Sequence, residues 1–461
     1  LAAEAVRQKM HEYMTENHPI VLDGSKFRVG YRINNPSGPG FEYRLMRWDD
    51  FAMKMDQKPG IFVPFRQKDG EMALKVMSLA EWWRKSPERF DHDGVIFKPT
   101  RIGERYQRTV EINDSRFFNL FNGWHIKPEA GDCGLIEWHI RHALCSNNEI
   151  EYNYFMDWLA HIFQFPEEKP NVALVLRGGK GLGKSVIMSR LVHAFGSMGT
   201  VIANSRQLTG DFNAHLRHRL LAVVEESFWA GSHQEEGVLK HLISDEVTTF
   251  ERKGVDPEAG RSFIRIVLIT NNDWAAPASG DERRFFVPTA SMAARERQRQ
   301  EGDYFERLVK EMNGGGIDAL VHKLLQRRLS KNAVRYPPRT KGLEKQKLLS
   351  LTGLRAWLFD SLKAGYFRVP KSEMRFTLQS YPRRNTIAME VLEESAAGYA
   401  SRFENGRSMT TRIELLVQEI FEEAKLTFNG GKLLIELPSL QELRETFADY
   451  MEVDIDWGEH G

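Results

Sequence analysis

Gly178-Gly179-Lys180-Gly181-Leu182-Gly183-Lys184-Ser185 reads as a phosphate cradle, and what flanks it decides the fold. Just before it, Val172-Ala173-Leu174-Val175-Leu176 has the apolar, β-branched content of a buried strand. Just after it, Val186, Ile187, Arg190, Leu191 and Ala194 recur at helical spacing. Strand, glycine-rich turn and helix form the context that gives G-x-x-x-x-G-K-[ST] its meaning. The glycines let backbone N–H groups face phosphate oxygens, and the helix N-terminus adds a favourable dipole. Lys184 is expected to reach the β and γ phosphates and Ser185 to hold Mg²⁺ through its hydroxyl. Residues Gly178 to Val186 are therefore assigned to a nucleoside triphosphate.

Two further apolar runs end in chemistry-bearing residues. Leu220-Leu221-Ala222-Val223-Val224 leads straight into Glu225-Glu226. In a nucleotide hydrolase one carboxylate serves the metal and the other orients the attacking water; Glu225 is assigned to the metal and Glu226 to the water. Ile264-Arg265-Ile266-Val267-Leu268-Ile269-Thr270 ends in Asn271-Asn272. An amide there can hydrogen-bond phosphate and water at once, although Asn also serves as a plain turn residue. Ten residues on, Asp281-Glu282-Arg283-Arg284-Phe285-Phe286 offers a guanidinium for the transferring phosphoryl group, or a surface ion-pair cluster. Two adjacent arginines cannot point the same way, so one is the finger, with Arg283 preferred, and the other pairs with Asp281 or Glu282. Between the acids and the amides, Thr248 to Asp256 reads as a hairpin with Arg252 and Lys253 at a basic tip suited to nucleic-acid phosphates.

Composition bounds the rest. Sixty-four Lys and Arg against 63 Asp and Glu leave no global basic field, so any nucleic-acid site is local. Two cysteines, Cys133 and Cys145, with no CxxC, argue against zinc and fit a reducing, cytoplasmic setting. No apolar run approaches the length that spans a bilayer. The chain opens on Leu1, as a piece of a longer protein would. Four regions are expected: an α+β segment over 1–70, a helical, aromatic-rich domain over 71–165, a phosphate-loop ATPase over 166–330, and a C-terminal helical, winged-helix-like module over 331–461. Asp91-His92-Asp93 has a metal-binding spacing but reads as a capped turn before a strand.

Gly178–Ser185, Glu225-Glu226, Lys253-Gly254-Val255-Asp256, Asn271-Asn272 and Arg283-Arg284 together resemble superfamily 3 helicases. The chain looks most like the helicase-like domain of phage and mobile-element primase-helicases, the group that includes primase-polymerases of marine-vent phages. Asp157 to Pro166 resembles the lead-in of these proteins, and the likeness runs roughly from 75 to 365, strongest over 171–287. The resemblance implies an α/β, P-loop AAA+-like core forming a hexameric ring around single-stranded or forked DNA, with ATP between subunits. Lys184, Ser185, Glu225, Glu226 and Asn272 would act within one subunit, and Arg283 or Arg284 would come from its neighbour. Lys253 would sit on a channel hairpin, and any primase would lie upstream or in another chain. In a phage-encoded protein the setting is the host cytoplasm. The motif ends Thr-Asn-Asn rather than Thr-Ser-Asn, and Glu-Glu stands where many nucleotide hydrolases have Asp-Glu. Alternatives are a DNA-binding replication initiator or loader that does not unwind processively, and a non-replicative phosphate-loop ATPase.

Overall fold

The computed structural model describes residues 2–458 apart from 36–38, 88, 204, 211, 226–232, 279–281, 370–373, 379–384, 401–402 and 405. At its centre is a parallel sheet of Ala173–Arg177, Gly199–Ile202, Leu221–Val224, Arg265–Thr270 and Phe285–Phe286. Numbered in chain order, the strands run second, third, fourth, first, fifth across the sheet, and every pairing is parallel. Every residue of Leu221–Val224 and Arg265–Thr270 is buried, as a parallel sheet covered on both faces requires. Alternate residues serve opposite cores. Leu174 and Leu176 pack with helices Glu149–Gln164, Lys184–Ala194 and Ile317–Gln326, whereas Ala173 and Val175 face Leu239 and Leu242 of helix His233–Ser244.

A fully buried arginine locks the entry to the first strand. Arg265 Nη1 donates to Pro166 O at 2.9 Å and Phe263 O at 2.7 Å, and Nη2 donates to Phe165 O and Glu168 O. Lys169 is buried beside it, its Nζ on Leu242 O at 2.6 Å and Asp245 O at 2.7 Å. Together they tie the turn before the phosphate-loop strand to the fourth strand and to the end of helix His233–Ser244.

Three expected boundaries are corrected. The N-terminal core joins Met14, Ile20, Val29 and Phe51 to Leu79 and Trp83, so it runs past residue 70. Its sheet also takes Asp91–His92 as a parallel edge strand. Region 71–165 is not helical throughout: Gly94–Ile96, Thr109–Ile112 and Ser115–Asn119 form a small sheet, and the main helices begin only at Gly134. Aromatics such as Phe117 and Phe118 point to opposite sides of a strand, around a two-residue turn at Asn113 (φ +48°) and Asp114 (φ +61°). Finally, Phe155, Trp158 and Ile162 share one core with Leu174, Leu191 and Leu320, so no domain boundary falls at 165.

The C-terminal unit begins later than 331. Helix Lys341–Leu349 still belongs to the central sheet: Gln346 Oε1 accepts from Ala275 N at 2.6 Å, and its Nε2 donates to Asp273 O at 2.8 Å. A separate core starts at Leu354. It holds helix Gly353–Ala364, strand Asn385–Ala388, helices Met389–Ala396 and Met409–Ile420, the hairpin Lys425–Asn429 with Lys432–Leu437, and helix Leu440–Met451. Lys432–Leu437 lies between the other two strands, and Ser439 with Glu442 caps the last helix reciprocally.

Candidate nucleotide site

The loops after the first, third and fourth strands leave the same edge of the sheet, because those strands are parallel and close together. That edge is where ligands collect in open α/β sheets. A cleft of about 410 Å³ opens there. The turn 180–186, Glu225, Ile269, Thr270, Asn271 and Phe305 line it.

The loop conformation depends on glycine. Gly181 (φ +79°) and Gly183 (φ +77°) occupy the left-handed region. A Cβ on Gly183 would stand 2.4 Å from His139 Cε1 and 2.8 Å from Phe305 Cε1, so the loop is pressed between two rings. Helix Lys184–Ala194 starts directly from Gly183, which turns its first N–H groups toward the cleft. Lys184 is buried and folds back over the loop, its Nζ donating to Gly178 O (2.6 Å), Gly179 O (2.8 Å) and Asn271 Oδ1 (3.0 Å). Burial holds this ammonium below the usual lysine range. Ser185 and Val186 line the same cleft, and Lys180 is exposed at its mouth.

At the fourth strand end the resemblance implied Asn272, and the structure turns its neighbour toward the cleft. Asn271, not Asn272, bonds Lys184 and lines the cleft. Both amides are exposed, and the Asn272 backbone N–H donates to Thr270 Oγ1 at 3.1 Å. Successive residues at a strand end face opposite ways, and the turn then fixes the choice. Asp273 is held there by Arg177 and by Lys345 at 3.2 Å, and those cations keep its carboxyl below the usual range. Glu225 reaches the cleft, its backbone N–H on Ile202 O at 2.9 Å; Glu226 lies outside the described residues.

The two arginines stand apart from the cleft of their own chain. Glu282 is buried, accepts from the N–H groups of Arg283 (3.1 Å) and Arg284 (2.8 Å), and meets Lys240 Nζ at 2.9 Å. Arg284 bonds Ser244 Oγ at 3.0 Å and pairs with Glu282 at 3.5 Å, whereas Arg283 is exposed. Asp281 lies outside the described residues. Strands Val247–Arg252 and Val255–Arg261 form a hairpin with Arg252, Lys253 and Gly254 exposed at its tip. Asn213 braces its base through Thr249 O and Glu251 N, and Arg217 pairs with Glu258 at 2.6 Å.

Several residues around the site carried no signal in the sequence. Buried His139 sits under the loop, its Nδ1 2.8 Å from Tyr304 Oη, and burial lowers its pKa to about 4. Phe305 borders the cleft from helix Tyr304–Glu311. Asp91 pairs with Arg89 at 2.7 Å, and Asp93 accepts from Arg116 N at 2.7 Å. Among the described residues no group of three or more His, Cys, Asp or Glu is gathered for a metal, and no helix is long and apolar enough to cross a membrane.

Residues 176–284, which span the loop, Glu225 and both amides, match a family of unknown function, DUF5906. Over 237 residues, half of this chain, the sequence is 22% identical to the DNA primase-polymerase of Nitratiruptor phage NrS-1. The chain spans only 30% of that relative's length. The apo structure of the NrS-1 C-terminal region (305–718) aligns over 93% of this chain and 98% of its own, with a TM-score of 0.61 at 16% identity. A second structure of that region, its A form, gives 0.62 at 15% identity over the same shares. The chain shares that region's fold. It is related in sequence to a phage primase-polymerase over half its length.

Proposed function

We propose that this chain is the ATP-driven motor segment of a phage replication protein, a ring-forming superfamily 3 type helicase that hydrolyses ATP to move on DNA. The carrying observation is the meeting of 180–186, Glu225 and Asn271 in one cleft at the carboxyl edge of a parallel sheet. The strand order supports an AAA+-like core, because it sets the acid and the amide on neighbouring strand ends beside the phosphate loop. Kinship with a phage DNA primase-polymerase supports the replication setting.

In this reading Lys184 exchanges its loop carbonyls for phosphate oxygens, and Asn271 follows the change through the bond they share. Ser185 and Glu225 offer oxygen donors in one cleft, a set that suits Mg²⁺, which takes one or two carboxylates beside phosphate. Bound there, the ion would neutralise charge on the phosphate oxygens. Glu226 orients water, and exposed Arg283 serves the cleft of a neighbouring subunit in a hexamer. Arg252 and Lys253 meet phosphates of single-stranded or forked DNA from the hairpin tip.

The initiator alternative needs the winged-helix-like C-terminal module to choose a DNA site. Residues 353–461 carry eighteen Asp and Glu against thirteen Lys and Arg, so the module has no net basic field to gather phosphates. The hairpin is the better DNA contact. The deciding experiment is ATP hydrolysis with and without single-stranded DNA, for the wild type and Lys184→Ala. DNA-stimulated turnover abolished by the substitution is expected; turnover indifferent to DNA would sink the helicase reading.

A further inference from the structure

Phe305 borders two depressions. One is the phosphate-loop cleft; the other is an open trough of about 730 Å³ lined by Phe305, Glu306, Val309, Lys310, Asn313 and Gly314. Phe305 is the wall the two share, so a nucleotide anchored by its phosphates in the cleft has this ring beside it. The trough's apolar part is Phe305 and Val309, both half-buried, and its polar side chains Glu306, Lys310 and Asn313 are all exposed.

The wall is firmly built. At the start of helix Tyr304–Glu311, buried Tyr304 meets His139, whose ring abuts Gly183. At its end, Glu311 accepts from Leu135 N at 3.1 Å and Ile136 N at 3.0 Å, at the N-terminus of the helix that leads to His139. The Phe305 N–H is held by Gln298 Oε1 at 3.0 Å. Phe305 is thus registered against the loop from both ends of its helix, and its half-buried side chain borders both depressions.

Resting on the nucleotide reading above, we infer that the trough is the base site, that Phe305 is its stacking platform, and that the site discriminates poorly among bases. Aromatic stacking tolerates any base, since every base presents a π face. Strong discrimination arises when a wrong base leaves buried polar groups unpaired. Here the polar side chains are exposed, so water satisfies them whichever base is present.

Binding of ATP, GTP and inorganic tripolyphosphate to the full chain tests this, with Phe305→Ala, Phe305→Trp and Lys184→Ala beside the wild type. ATP and GTP should bind within about fivefold of each other and at least about tenfold more tightly than tripolyphosphate. Phe305→Ala should erase that advantage, lowering ATP and GTP affinity by a larger factor than tripolyphosphate affinity. Phe305→Trp should keep it, with indole fluorescence quenched by ATP and GTP but not by tripolyphosphate. Lys184→Ala should weaken all three. Equal loss of ATP and tripolyphosphate in Phe305→Ala, an unquenched Phe305→Trp, or a hundredfold preference for one base would overturn the base site and leave the phosphate site standing. If neither ATP nor tripolyphosphate binds the wild type, the nucleotide reading itself fails, and the base site with it.

Discussion

Lys184 is satisfied by two loop carbonyls and the Asn271 side chain, so one amide is tied to the lysine proposed to meet phosphate. Asn272, one residue on, does not line the cleft, and its backbone N–H bonds Thr270 Oγ1. The two positions should therefore separate cleanly in kinetics. Asn271→Ala is expected to lower the kcat for ATP by roughly 100-fold, the scale of losing one positioned donor at a reacting phosphate or oxyanion. Asn272→Ala should change it by less than about threefold. A larger loss at Asn272, measured at saturating ATP, would reverse the assignment. Thr-Asn-Asn in the sequence could not make this choice, because which amide turns inward depends on how Asp273 is held by Arg177 and Lys345 from elsewhere in the fold.

At the scale of elements, Arg265 has the same character. It opens a strand of apolar residues, yet it is fully buried and its guanidinium serves four carbonyls of the turns around it. Desolvation pulls its pKa down to about 9. Arg265→Met removes the charge and strands four acceptors; each buried acceptor left unpaired costs about 1–3 kcal/mol. Some acceptors recover water, so a net loss of about 3–5 kcal/mol is expected in urea unfolding, with the phosphate-loop strand losing its anchor. Arg265→Lys should lose nearly as much, since one ammonium cannot span that fork of carbonyls. A loss under about 1 kcal/mol for either variant would show that the anchor is dispensable.

Across the whole molecule, protonation and charge are distributed unevenly. His18, His139 and His161 are buried in the N-terminal and central cores, and burial lowers their pKa values to about 4, 4 and 3. Below about pH 6.5 the unfolded chain takes up protons that these rings refuse, so stability is full above that pH and falls as pH drops toward about 4. Each ring contributes on the order of 3 kcal/mol to that fall. Melting temperature followed from pH 7 to pH 4 checks it, and a flat profile would show that the rings are not closed to protons in the folded state. Charge divides the DNA question likewise. Lys253→Ala at the hairpin tip should weaken single-stranded DNA binding and reduce the slope of log affinity against log salt by about 0.7. Arg412→Ala on helix Met409–Ile420 of the acidic module should leave both unchanged. The reverse pattern in a salt titration would move the DNA contact to the C-terminus.

The sequence by itself determined the strand, glycine turn and helix over 173–194, the strand ending in Glu225 and the hairpin 247–261, because each is local. Strand, glycine turn and helix over 173–194, or Asn429-Gly430-Gly431 between two strands, are set by neighbours within a few residues. Domain limits, which amide lines the cleft, and the wall around the cleft were decided only by tertiary structure. Phe155 and Leu320 share one core although the sequence separates them, and the aromatic run before Gly134 is partly strand because its partners are other short strands. His139 and Phe305 meet Gly183, and Tyr304 meets His139, from positions far apart in the chain, and no periodicity of the sequence encodes that meeting. Local spacing specifies elements; burial against distant residues specifies which side chains face the cleft.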